Sequence, residues 1–363
     1  MARADTITRG TARSFAATAI AVALGLAALV CVLNASVDPF QQYRAPRLFA
    51  PRFYNAWQRF EDPGIARHYD YDRLVTGSSI MENALPADFD QLLGGRTVNL
   101  SESAQSAFDA ARLLQVALAT GKPREVLMTL DFNAFSGAPA RSGFEQPFPD
   151  YLYDTHAWND LPYLLGLEST RKSVETLLGL HWSRFNTDPA RMWRWAEERT
   201  FSAKVAVHGL DPANLNGHFR QPPRTLEGMQ RSFEANLAPL FESHPDVRFT
   251  LILPPYSILV WSDFRERGQL DVTLAFREWL LGRVAPLANV EVFDFQADPA
   301  IVMDLDNYTD IYHYSPGVTR RMIEAIAHGE RRTTPRGVRE ADDWLRETTA
   351  RVDPARLIGH ASR

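Results

Sequence analysis

The sequence predicts an α/β protein: a three-layer sandwich around a parallel five-stranded sheet, with a helical insertion and an N-terminal transmembrane helix. Three observations point there. Short continuous apolar runs recur along the chain, as strands covered on both faces require. Segments with apolar residues at helical spacing lie between them, the pattern of parallel βαβ units. Residues 15–33, "FAATAIAVALGLAALVCVL", carry no charge over about the 20 residues that a hydrocarbon core spans.

Taken in order, the chain begins with Arg3, Arg9 and Arg13 ahead of that apolar run. The positive-inside rule places residues 1–14 in the cytoplasm, residues 15–37 across the membrane and the remainder outside. The expected location is a bacterial inner membrane, single-pass, with the C-terminal domain periplasmic or otherwise extracytoplasmic. A cleaved signal peptide also starts with positive charge, but its apolar region runs only about 7–15 residues before an A-x-A-like site. Here the run is longer, and the exit "CVLNASVDPF" offers Leu33 and Ala35 where small residues are wanted. Leu29 and Val30 ahead of Cys31 argue equally against lipidation there, so an uncleaved anchor is the favoured reading. Cys31 is the only cysteine, so no internal disulfide forms. That fits a reducing compartment, or an exported domain large enough to manage without one.

Residues 38–70, opening "DPFQQYRAPRLFAPRF", read as an extended, proline-punctuated linker and entry segment. An α/β domain over 71–328 follows. Its strands are expected at "RLVTG" near 73, "RTVNL" near 96, "EVLMTLDF" near 125, "VRFTLILPP" near 247 and "VEVFDF" near 290. Helical spacing covers 104–120, 225–242 and 270–285. The strand rhythm breaks over about 137–223, which reads as a helical insertion. It holds Trp158, Trp182, Trp193 and Trp195, half of the eight tryptophans. Exposed, they would stack on sugar rings; buried, they would pack an added helical layer. The tail, 329–363, is charged and reads as solvated or as docking one helix. A net charge of -5 argues against a nucleic-acid partner, which needs a basic surface. No C-x-x-C or Cys/His cluster occurs, and neither a metal nor a cofactor is expected.

Two stretches carry candidate chemistry. "LVTGSSIMEN", residues 74–83, brings Ser78 and Ser79 to the first βα turn, the carboxyl edge where α/β sheets bind ligands. Either serine would also serve as an ordinary helix N-cap. A nucleophilic serine needs a base and an orienting partner. "NYTDIYHYSPGVTRRMIEAI", residues 307–326, sets Asp310 three residues before His313, ahead of a helix that Ser315 would cap with Pro316 at its first position. "LPPYSILVWSDF", residues 253–264, follows a strand too; it either brings Tyr256 to the pocket mouth or makes a rigid corner.

The order Gly77-Ser78-Ser79 early and Asp310-x-x-His313 late, with five strands in all, resembles the SGNH (GDSL-like) hydrolases. Among them the likeness is greatest to membrane-anchored cell-envelope members such as the alginate O-acetyltransferase-like group. The resemblance covers about residues 70–135 and 245–328; "DIYHYSPG" and "LILPPYS" are its more specific pieces. It implies a flavodoxin-like parallel sheet and a triad of Ser79, His313 and Asp310, with Ser78 where the family often carries Asp. Two departures stand out. In "NLSESAQSAFD", Ala104 takes the place of a glycine whose backbone N–H is an oxyanion donor. In "LDFNAF", Asn133 is the counterpart of the family's oxyanion asparagine but lacks the preceding glycine, and Asp131 is the alternative structural residue of that turn. The resemblance implies an export-side serine esterase or O-acyltransferase acting on acylated glycans or other esters, alongside envelope polysaccharide machinery. The eroded oxyanion blocks leave a second reading, a degenerate scaffold or glycan-binding protein.

Overall fold

The computed structural model describes residues 2–143, 147–215 and 223–362. Five strands, β1 Arg73–Thr76, β2 Thr97–Asn99, β3 Glu125–Thr129, β4 Arg248–Leu253 and β5 Val290–Asp294, form one parallel sheet in the order β2-β1-β3-β4-β5. This is the doubly wound, flavodoxin-like order, in which winding reverses between β1 and β3 and opens a crevice at the strands' carboxyl ends. Val75 pairs with Leu127, Leu127 with Thr250, and Leu251 with Val292. β1 and β3 are buried along their whole length, which is why their sequences run apolar rather than alternating. At the opposite edge Glu125 ties three strands together, accepting Arg73 at 2.7 Å and Arg248 at 3.0 Å.

The helices are α1 Ala2–Val37, α2 Gln58–His68, α3 Pro86–Leu93, α4 Ala107–Ala119, α5 Leu161–Leu164, α6 Leu167–Leu177, α7 Ala203–Ala206 and α8 Leu226–Asn236. After them come α9 Ala238–Ser243, α10 Ile258–Glu266, α11 Leu270–Val284, α12 Pro299–Val302, α13 Pro316–Ala327, α14 Pro335–Arg351 and α15 Pro354–Ala361. α3 packs on α13, while α4 packs on α2 and α8, and α8 on α11. Ser106 starts α4 with a capping box closed by Asp109. α1 is long and apolar enough over Ala12–Val37 to cross a membrane.

Two expectations need correction, and a third divides. Residues 38–70 are no extended linker: Phe40, Phe53 and Tyr54 are buried, and α2 runs through Pro63. Two of its buried polar residues find partners, Gln58 donating to Glu82 at 2.8 Å and Glu61 accepting the Tyr54 N–H at 3.1 Å. A hydropathy pattern cannot register such pairs. Of the two readings of the tail, the docked helix is the one present. Val338, Asp342, Leu345 and Thr349 make a buried stripe on α14, which docks on α11, and Asp342 meets the fully buried Arg277 at 3.0 Å. The insertion, finally, is only partly helical. Among its described residues short 3₁₀ turns alternate with α5, α6 and α7, and 144–146 and 216–222 lie outside the described residues.

Candidate active site

β1 ends at Gly77, where a side chain has no room: an added Cβ would lie 1.9 Å from the Thr129 Oγ1 on the neighbouring strand. The chain then turns rather than entering a helix. Residues 79–83 form turns closed by Met81 N–H to Ser78 O at 2.9 Å, and α3 starts only at Pro86, capped by neither serine. The capping role weighed for this serine pair is therefore absent. Instead the Ser78 hydroxyl donates to Asp131 Oδ2 at 3.1 Å, and Ser79 Oγ lies 2.8 Å from His313 Nε2.

His313 stands on a braced loop ahead of α13. Tyr308 and Tyr314 pair as an antiparallel bridge, Thr309 N–H donates to His313 O at 3.0 Å, and Ser315 caps α13 with Pro316 in its first turn. Inside the loop, Asp310 Oδ1 accepts the backbone N–H groups of Tyr312 and His313, each at 2.8 Å. Its Oδ2 lies 2.7 Å from His313 Nδ1. Burial pushes the Asp310 carboxyl up, but these hydrogen bonds and the imidazole outweigh it and hold the group below the ordinary carboxylate value. Asp310, His313 and Ser79 thus form one hydrogen-bonded line across 234 residues of sequence.

The "LPPY" corner explains the bracing. Ser257 Oγ donates to Ile311 O at 2.7 Å, and Pro255 O accepts the Tyr308 hydroxyl at 3.0 Å. Tyr256 is not at a pocket mouth: it is fully buried, and its hydroxyl reaches Asp131 Oδ1 at 2.8 Å. Asp131 also accepts Asn133 N–H at 2.9 Å, so it is the structural acid of that turn and a hub joining β1, β3 and β4 loops.

Ser78, Ser79, Ala104, Asp131, Asn133 and His313 line one pocket of about 130 Å³. That is small beside the about 300–1,000 Å³ of drug-sized ligand sites. Both candidate oxyanion residues are present in it. Ala104 has φ 54, the left-handed conformation that favours glycine. The loop has kept the glycine geometry without the glycine. Gly143 covers it so closely that a Cβ there would lie 1.7 Å from Ala104 O. Asn133 Oδ1 accepts from Arg224 Nη1 at 3.1 Å, which commits its oxygen and leaves its amino group as a donor.

Several residues escaped sequence reasoning. Trp195, from the insertion, donates its indole N–H to Ser79 O at 3.2 Å and sets its ring edge-to-face on His313, 5.2 Å away. Asn83 fixes it by accepting the N–H of Trp195 at 3.2 Å and of Ala196 at 2.9 Å. The four insertion tryptophans accordingly divide: Trp193 is core, Trp195 faces the site, and Trp158 and Trp182 are exposed. Arg141 lines the pocket and holds Asn133 O at 2.8 Å; burial lowers its pKa. Beneath the Ala104 loop, Glu82 accepts both Gln58 and the Ser103 hydroxyl at 2.8 Å. Beside it Glu102 is fully enclosed; burial, only partly offset by Arg59, pushes its carboxyl to about 7. The Trp-rich composition was a signal for Trp195, but nothing local marked which tryptophan would reach the serine.

Compared with known proteins, the chain matches no family model and no curated protein. Among solved structures it is similar to a protein assigned as a lipolytic protein of the G-D-S-L family from Desulfitobacterium hafniense DCB-2. That likeness has 16% identity and a TM-score of 0.34 over 71% of this chain and 98% of the other. It is also similar to a protein assigned as a platelet activating factor from Streptococcus pneumoniae, at 10% identity and a TM-score of 0.36, over 76% of this chain and 91% of the other.

Proposed function

We propose that this chain is a membrane-anchored, export-side serine ester hydrolase or O-acyltransferase of the SGNH type. The observation that carries the reading is the line Ser79–His313–Asp310, with contacts of 2.8 and 2.7 Å, opening into a small pocket. Ser79 Oγ attacks the ester carbonyl while His313 Nε2 takes its proton, and Asp310 stabilises the imidazolium. The tetrahedral oxyanion is held by the Ala104 N–H and the Asn133 amino group, each such donor contributing about 2.7–4 kcal/mol to the transition state. Its collapse expels the alcohol, which leaves with the proton from His313. The acyl-Ser79 ester is then discharged to water or to a sugar hydroxyl, with His313 again taking and returning the proton.

The pocket volume favours a short acyl group such as acetyl. A separate cleft of about 660 Å³, lined by Trp57, Arg194, Trp195 and Glu198 among others, is suited to the bulk of an acylated glycan. With α1 across a bacterial inner membrane and the domain on its periplasmic side, the substrate is an envelope or exopolysaccharide ester, handled beside the polysaccharide machinery. The full-length protein should turn over an activated acetyl ester and label at Ser79 with a fluorophosphonate. Turnover by Ser79→Ala equal to the parent's removes the nucleophile. An unlabelled, inactive parent that still binds glycan supports the scaffold reading instead.

A further inference from the structure

Outside α1, the exposed large apolar side chains among the described residues are concentrated in one stretch of sequence. Apart from those on α1 and Met303, every one among the described residues lies within 158–182 or is Leu48. Leu167 is 81% exposed, Trp158 77%, Leu178 66% and Trp182 57%. Such a concentration in a water-facing region is costly, and contiguous patches of this kind mark binding surfaces.

What covers them follows from the register of α1. α5 and α6 pack against α1. The covered face is visible in α1 itself: Ala27, Val30, Cys31 and Asn34 lose exposure at helical spacing, while Leu26, Leu29 and Val32 stay exposed. Asn34 Nδ2 fixes the contact, donating to Leu164 O at 2.8 Å and Thr170 Oγ1 at 2.9 Å. Ala27, Val30 and Cys31 belong to the uncharged run of the span. α5 and α6 therefore begin alongside its last turns, not beyond them. From residue 27 to residue 34 α1 rises about 10 Å, roughly a third of a hydrocarbon core.

We propose that residues 158–182, with Leu48, form a collar seated in the outer interface of a lipid bilayer around the exit of α1. This rests on α1 being a membrane span. Leu161, Leu165 and Leu167 then meet acyl chains, and Trp158 and Trp182 sit at the headgroup boundary, where tryptophan is enriched. The two exposed tryptophans serve the membrane, not a sugar.

The full-length protein in a Cys31→Ser background tests this after reconstitution into phosphatidylcholine–phosphatidylglycerol vesicles. An environment-sensitive fluorophore is placed singly on Leu24→Cys, Leu165→Cys, Leu178→Cys and Glu340→Cys, the last on α14. Blue-shifted emission quenched by nitroxide-bearing lipids is expected at 24, 165 and 178, and water-like emission at 340. A lipid signal at 24 with water-like emission at 165 and 178 overturns the collar and leaves the span standing. Water-like emission at 24 overturns both. A blue shift at 165 and 178 that nitroxide lipids do not quench means a protein cover, and overturns the bilayer as occupant.

Discussion

Replacing Asp310 with Asn changes almost no atoms yet should remove the base. In the parent, Oδ1 holds two backbone N–H groups at 2.8 Å and Oδ2 faces His313 Nδ1 at 2.7 Å. An asparagine that keeps its oxygen on the two backbone donors must turn its amino group toward Nδ1. The imidazole then accepts at Nδ1 and carries its proton on Nε2, which points a donor at Ser79 Oγ 2.8 Å away. Flipping the amide would rescue the tautomer but forfeit two backbone hydrogen bonds, at about 1 kcal/mol each, and set donors against donors. The unproductive orientation is therefore the stable one. In the Ser-His-Asp template this exchange lowers kcat about 10⁴-fold, equivalent to about 5 kcal/mol of barrier. Steady-state hydrolysis of p-nitrophenyl acetate by the full-length protein reads the loss, and a thermal melt confirms that the loop survives. A folded Asp310→Asn protein with kcat/KM within tenfold of the parent would refute the tautomer argument and the role given to Asp310.

Other outcomes are expected. Trp195→Phe should keep the ring contact with His313 but lose the hydrogen bond to Ser79 O, lowering kcat/KM several-fold, and Trp195→Ala should lower it further, about tenfold or more, by the combined worth of both contacts. Ala104→Gly should retain activity, because the donor is a backbone N–H, and raise stability by up to about 1 kcal/mol in a urea titration, relief of the left-handed strain outweighing glycine's entropy cost. Gly143→Ala, which drives a methyl into Ala104 O, should abolish turnover before it unfolds the protein; full activity would show that the Ala104 loop plays no part. Because Glu102 is raised from 4.5 to about 7 in the folded state, its unfavourable contribution grows as pH climbs between those values. Unfolding free energy should fall by about 2–3 kcal/mol over that window and level off above it. Urea titrations at pH 5 and 7.5 measure this, and Glu102→Gln should flatten the difference.

Strands declared themselves in the sequence because both faces of β1 and β3 are covered, leaving unbroken apolar runs around residues 73 and 125. The Asp310–His313 pair was equally legible, since a local D-x-x-H motif ahead of a capped helix needs no distant contact to be recognised. What resisted reading was polar burial. α2 hides Gln58, Glu61 and Asp62, and β3 is flanked by Asp131, which answers to Ser78 and Tyr256 from two other loops. Partners that lie on other elements of the fold give no sequence period. Trp195 was hidden for the same reason: only the folded insertion brings it to Ser79, 116 residues away.

The end of α1 has one further consequence. Asp38 closes the helix with φ 53, and its carboxylate gathers the N–H groups of Gln42, Tyr43 and Arg44 and the Tyr163 hydroxyl, all within 3.0 Å. A flexible linker of n residues lets a domain sweep a radius of about 5–6 Å × √n. Here that radius collapses to nothing. On the proposed membrane-anchored reading, a serine held on such a stalk samples one height above the bilayer, so its effective concentration would be high for esters presented in that thin shell and negligible for all others. Inserting a dozen Gly/Ser residues after Val37 would spread the serine over many heights, trading selectivity by position for reach.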